Sequence, residues 1–289
     1  MREMALSAFF FAAMAAFAKL LGTRVPTQEV ILVRSVLNVL FTIGLMRHRG
    51  IPLRPNRTWL LLQRGALGYV ALSCYFWSVA NQPLATAILL HQTHPVFTAL
   101  LALWFLSERP GPRFLPAFLL TAVGVWTIAP AAAGAGPGAG GLLPLLAGLA
   151  ASVLAGAAYV TVRHASRTEA QEAIVLWLPL TAIPLSLAGT LVAGPVLPSP
   201  RDTAWLLGVA VSAQLGQIYI TRGLALVPAG RATLANPLTI AFGVLLGWLV
   251  FGEPVGWRTA AGGAAIAAAV LLAGSGKARR EPFSRRVGS

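Results

Sequence analysis

HQTHPVFTALLALWFLSERPGPR, residues 91–113, and NPLTIAFGVLLGWLVFGEPVGWR, residues 236–258, are two versions of one pattern: an apolar run of helical length, a glutamate, then Gly-x-Arg. The glutamates are Glu108 and Glu253, the glycines Gly111 and Gly256, the arginines Arg113 and Arg258, each pair 145 residues apart in a chain of 289. Gln28-Glu29-Val30-Ile31 and Gln171-Glu172-Ala173-Ile174 keep the same order, as do Tyr75 with Pro83 and Tyr219 with Pro228. The chain reads as one half written twice.

What that half is follows from composition. Hydrophobic residues make up 57% of the chain and charged residues only 10%, more apolar surface than one soluble core can hide. Runs long enough to cross about 30 Å of hydrocarbon as helix fall at residues 4–22, 28–46, 59–80, 84–106, 114–130, 142–162, 172–193, 203–223, 231–251 and 258–274. The expectation is an all-α membrane protein of ten transmembrane helices. Residues 131–141, rich in Ala, Gly and Pro without charge or apolar periodicity, read as a flexible linker between a first repeat (1–130) and a second (142–274). Residues 275–289 form a basic tail. Because five is odd, the second repeat enters the bilayer from the opposite side, which gives two inverted five-helix repeats.

The run AFFFAAMAAFAKLLG is followed at once by further spans, so it reads as the first membrane helix and not as a cleaved signal. The single cysteine, Cys74, excludes an intramolecular disulfide and a thiolate cluster. A net charge of +14 would suggest nucleic acid in a soluble chain; here positive-inside bias explains it. With both termini cytoplasmic, sixteen basic residues fall on the inner side and only Lys19, Arg24, Arg201 and Arg258 on the outer.

These residues carry a resemblance. The paired Leu106-Ser107-Glu108-Arg109 and Phe251-Gly252-Glu253-Pro254 endings, Arg34 in the second span, and the helix-breaking His94-Pro95 and Asn236-Pro237 resemble the drug/metabolite transporter superfamily, in its ten-helix EamA-type branch, over roughly residues 4–274. The resemblance implies a central cavity between the halves and movement of small organic metabolites. One departure stands out: Pro95 lies 13 residues before Glu108, whereas Ile240 holds that place before Glu253 and Pro237 lies three residues earlier.

Polar groups inside spans cost about 2.5–3.5 kcal/mol on insertion scales when charged, so they mark a cavity or a partner. Arg34, about a third of the way along its helix, is either a seat for a substrate anion or a cap on backbone carbonyls. His91 and His94 share a helix face and could meet substrate or a proton, against polar packing as the plain alternative. Gln214 and Gln217 repeat that spacing in the eighth span, and Asn236 precedes a proline whose missing N–H frees a carbonyl. Tyr75, Trp77, Tyr159 and Trp177 supply flat walls for a substrate cavity. Trp59, Trp126, Trp205, Trp248 and Trp257 read as interface-belt or lipid-facing residues, and Lys19 as a residue that snorkels to the outer surface. Glu108 with Arg113, and Glu253 with Arg258, read as structural pairs that fix the following turn. Gly243-x-x-x-Gly247 predicts close approach of the ninth helix to the fourth, within one chain or across a homodimer.

No catalytic residues, metal site or cofactor are expected, since neither HExxH nor GxSxG occurs and no carboxylate pairs with the histidines. With no mid-membrane carboxylate, tight sodium coupling is not expected, and the intramembrane cations tilt the cavity towards amino acids or related zwitterionic or anionic solutes. The expected partners are therefore a small-molecule substrate and the lipid bilayer, with no nucleic acid. The function that follows is a secondary transporter of small organic metabolites, exporter or facilitator, in the inner membrane of a bacterial cell. The alternative is a lipid-carrier flippase or its accessory subunit, against which ten full spans with polar midplane groups argue.

Overall fold

The computed structural model describes residues 2–51, 55–105, 112–133, 141–166, 168–226 and 235–274, and every secondary-structure element among them is a helix. In chain order these are α1 (Arg2–Leu21), α2 (Thr27–His48), α3 (Thr58–Asn81), α4 (Leu84–His91), α5 (His94–Phe105), α6 (Phe114–Ala133), α7 (Leu142–Ala165), α8 (Gln171–Ala193), α9 (Pro200–Leu226), α10 (Ala235–Phe251) and α11 (Trp257–Gly274). Taken as one span, α4 and α5 make the total ten, five before and five after residues 134–140. Glu108, Gly111, Pro228, the greater part of the expected linker and the basic tail lie outside the described residues.

Four of these helices are long and apolar enough to cross a membrane by length and composition, and four more apolar helical runs are shorter. The two in neither group are α3 and α9, which carry Arg64 and the Gln214/Gln217 pair. Large apolar side chains stay uncovered, among them Trp104, Leu115, Trp126, Trp248 and Trp257. An uncovered apolar surface of this extent is what a lipid-facing protein presents. Trp205 does not belong to it: its ring stacks on Phe17 at 5.7 Å and packs against the main core, because α9 lies directly on α1.

The packing repeats the symmetry read from the sequence. The most extensive contacts pair α3 with α7 and α1 with α9, and these two pairs exchange when the halves are exchanged. The next, α6 with α11 and α2 with α8, each map onto themselves. All of these contacts run between halves, so neither half buries its own apolar faces alone. Glycine permits the closest crossing. A Cβ on Gly124 would lie 2.9 Å from the Gly262 carbonyl oxygen, and one on Gly262 would lie 2.8 Å from that of Gly124. Likewise Gly243 receives Ile88, and Gly247 lies near the backbone of Ala85, so the expected contact of the fourth and ninth spans forms within one chain.

The fourth span is two helices, and the cause is local. Pro95 has no N–H to give the His91 carbonyl four residues earlier. That freed oxygen is taken by the His94 ring through Nδ1 at 2.9 Å and by the Ser152 hydroxyl at 3.4 Å. Thr93 donates its hydroxyl to the Leu90 carbonyl at 2.6 Å and lies 2.7 Å from Ser152, so the break is satisfied by side chains as a membrane interior requires.

At the end of the bundle where α1 finishes and α4 begins, Lys19 does not snorkel. Its ammonium pairs with Glu253 and donates to the Gln82 carbonyl at 2.7 Å. Glu253 also accepts from the Leu84 N–H, at 2.9 and 3.1 Å to its two oxygens, and so caps α4. Arg258, the expected partner of Glu253, instead lies over the Trp257 ring at 5.4 Å. The geometry comes from the Phe251-Gly252-Glu253 turn. Gly252, at φ 63°, ends α10, with its N–H on Trp248 O and the Glu253 N–H on Gly247 O. This Schellman closure turns the carboxylate back over Gly247, where a Cβ would lie 2.8 Å from Oε2.

Replacing Glu253 with Ala leaves Lys19 partly buried without its counter-ion and Leu84 uncapped; the expected loss is on the order of 3 kcal/mol. Thermal unfolding of the detergent-solubilised protein reads it. A second change, Lys19→Met, should restore part of the loss, and failure to do so would assign the effect to the α4 cap alone.

Candidate functional site

One recess opens on the apolar outer surface. A groove of about 640 Å³ between α3, α5 and α7 is lined mostly by apolar residues such as Leu60, Leu67, Val70 and Phe105, with Gln63, Thr161 and His164 among them. Val70 and Phe105 are exposed on the apolar outer surface, so the groove faces lipid.

The polar centre lies elsewhere, in a cavity of about 30 Å³ between α2, α3, α8 and α9. Its walls are Arg34, Asn38 and Thr42 of α2, Arg64 of α3, Val175, Leu178 and Pro179 of α8, and Gln214 and Gln217 of α9. On α2 these residues fall at i, i+4 and i+8, one stripe along the middle of the helix. On α9 the two glutamines are i and i+3, the same face. Pro179 adds an acceptor, because it lacks the N–H that would otherwise bond the Val175 carbonyl.

Arg34 is buried, with its guanidinium 6.0 Å from the Phe76 ring centre. Arg34 Nε, Arg64 Nε, Asn38 Oδ1 and Thr42 Oγ1 are all buried without a hydrogen-bond partner among the described residues. The ion pairs there are Lys19–Glu253, Arg24–Asp202 and Arg49–Glu172, none of which reaches this cavity. Buried polar atoms are ordinarily satisfied, and four orphans on one small cavity mark a place built to receive polar atoms from outside the chain.

A line of rings stands beside it. Tyr75 and His91 have centroids 4.3 Å apart, His91 and His94 5.4 Å, and His94 stacks on Tyr159 at 5.0 Å. The line runs from buried Tyr75 on α3, across the α4–α5 break, to half-exposed Tyr159 on α7. The break sets the direction, since the freed His91 carbonyl fixes the His94 ring.

The expected substrate residues thus divide. Arg34, Gln214 and Gln217 meet around one cavity; Tyr75, His91, His94 and Tyr159 form the adjoining ring line. Trp177 packs on the apolar cluster of Leu61, Ala165 and Ile174 and does not line the cavity. Trp77 is half-buried on α3 and likewise outside the lining, with its carbonyl accepting from Asn81 at 2.8 Å. Asn236 lies in the first turn of α10, and its side chain is outside the described residues.

Arg64 is the residue that the spans, read as a sequence, passed over. Of the 22 basic residues, the surface assignment accounts for all but Arg34 and Arg64, and that remainder was the available signal. Gly68, one turn further along α3, makes its slot: a Cβ there would lie 2.5 Å from Arg64 Nη1 and 2.4 Å from Leu178 Cδ1.

A helical bundle of two interlocked halves around a polar cavity is the architecture of a membrane transporter. This chain belongs to the EamA-like transporter family, which matches it twice, over residues 4–129 and 142–275. It is 30% identical over 272 residues to the pseudopaline exporter CntI of Pseudomonas aeruginosa (strain UCBPP-PA14), covering 92% of each chain. It is also 30% identical to a riboflavin transporter of Rhizobium johnstonii over 245 residues, covering 84% of this chain and 79% of that one. A solved crystal structure shares the fold at TM-score 0.67 and 20% identity, covering 93% of this chain and 95% of that one.

Gly68→Ala should push the Arg64 guanidinium and the Leu178 methyl aside, both flexible ends, without unfolding the bundle. The expected outcome is a severalfold drop in transport by reconstituted protein with a thermal midpoint close to that of the wild type. A large fall in the midpoint would instead make Gly68 a packing residue.

Proposed function

We propose that this chain is a secondary transporter that moves small anionic or zwitterionic organic solutes across the bilayer by alternating access, as an exporter or facilitator. The observation that carries the reading is Arg34: a buried guanidinium, without an acidic partner among the described residues, on a cavity that also holds the two glutamines of α9. In low dielectric such a charge favours an anion strongly, and Gln214 and Gln217 can donate to or accept from the rest of the solute.

The cavity volume supports a moving structure. Small-molecule sites span about 300–1,000 Å³, ten or more times the space present here. Admitting a solute therefore calls for the halves to part, and the most extensive helix packing runs between them. Likeness to an exporter and to a vitamin transporter supports an organic cargo. The charge bias supports an inner-membrane setting with both termini cytoplasmic.

The test is uptake and efflux in proteoliposomes with radiolabelled organic acids, amino acids and nucleosides, with and without a pH gradient. Arg34→Gln is expected to lower transport of acidic solutes at least about tenfold, the scale of one lost charge-assisted hydrogen bond. Wild-type transport confined to cationic or uncharged solutes, or an Arg34→Gln protein as active as wild type, would overturn it.

A further inference from the structure

Arg64 could have reached water. It stands on the second turn of α3, and a helical side chain leans towards its own N-terminus, so the short way for its guanidinium leads out to the nearby membrane surface. The side chain runs the other way. Nη1 reaches the level of Gly68, one turn deeper, where only the missing Cβ leaves room. There it joins Arg34 on the same small cavity. Two cations on one small cavity, Arg34 buried and Arg64 partly buried, repel each other, and no carboxylate of the described residues pairs with either. A single structural arginine needs no such neighbour.

We infer that Arg34 and Arg64 together form a two-cation seat that selects solutes carrying two negative charges, either two carboxylates or one doubly ionised phosphate ester. The inference rests on the anion-transport reading above and narrows it. A monoanion leaves one guanidinium uncompensated; a dianion neutralises both. Guanidinium forks suit this task because each presents paired donors to a carboxylate or phosphate. The orphan Asn38 Oδ1 and Thr42 Oγ1 lie on the same wall as Arg34 and can take further polar atoms of the solute.

The experiment uses full-length protein in lipid nanodiscs at constant ionic strength, with binding read as the shift in thermal unfolding midpoint over a concentration series. Three probes are compared: succinate, its monoamide succinamate, and glycerol 3-phosphate. For wild type, at least one dianion is expected to bind about tenfold tighter than succinamate; which one does so distinguishes a dicarboxylate from a phosphate ester. Arg64→Gln should collapse that ratio towards one, and Arg64→Lys should keep most of it, which separates charge from fold.

Equal wild-type affinities, no shift with any probe, or an Arg64→Gln protein that keeps the wild-type ratio would overturn the two-cation seat. If succinamate binding still falls in Arg34→Gln, the anion-transport reading survives that failure. If neither arginine affects any probe, both fall together.

Discussion

Positive charge without a carboxylate, held inside an apolar bundle, is the constraint around which this molecule is organised. Arg34 and Arg64 cannot be solvated by lipid, and the eight acidic residues of the chain supply neither of them with a partner among the described residues. Everything next to them is an accommodation. The glutamines fall on one face of α9, Pro179 withholds an N–H from a carbonyl on α8, and Gly68 clears the space that the second guanidinium fills. Arg34 sits on α2, which is apolar and long enough to cross a membrane, and Arg64 on α3, which packs most extensively on α7 of the other half.

The same economy governs the interruptions of the backbone. Pro95 breaks the fourth span, and the carbonyl it frees is reused to orient the ring of His94 beside Tyr159. Gly252 ends α10 in a left-handed turn, and the residue after it becomes a cap for a helix of the first half. In both places a local rule of backbone chemistry fixes a side chain that then acts at a distance. Irregular backbone inside a membrane is tolerated where protein satisfies it, and here side chains of the opposite repeat do much of that.

How much of this could be read without coordinates depends on whether the cause was local. Ten spans, the doubled pattern and the break at His94-Pro95 were legible because hydropathy, repeats and a missing N–H are properties of short stretches. Arg34, Gln214 and Gln217 stood out one by one as polar residues in apolar runs, but that they line one cavity depends on how α2 and α9 pack. Arg64 did not, since a position near a helix start says nothing of which way a long side chain turns; only the glycine one turn on held that information. The pairing of Lys19 with Glu253 joins residues 234 apart, and Glu253 had a nearer arginine to suggest a different partner. Trp205, read as a membrane-belt or lipid-facing residue, is half-buried against Phe17, a contact that helix neighbours and not composition decide.

One carboxylate at the end of α10 touches an ammonium on α1 and the leading amide of α4, so three helices from both repeats meet at a single anion. Moving any one of the three helices alone leaves an unbalanced charge or an uncapped amide behind, so α1, α4 and α10 are tied to one another at that end of the bundle.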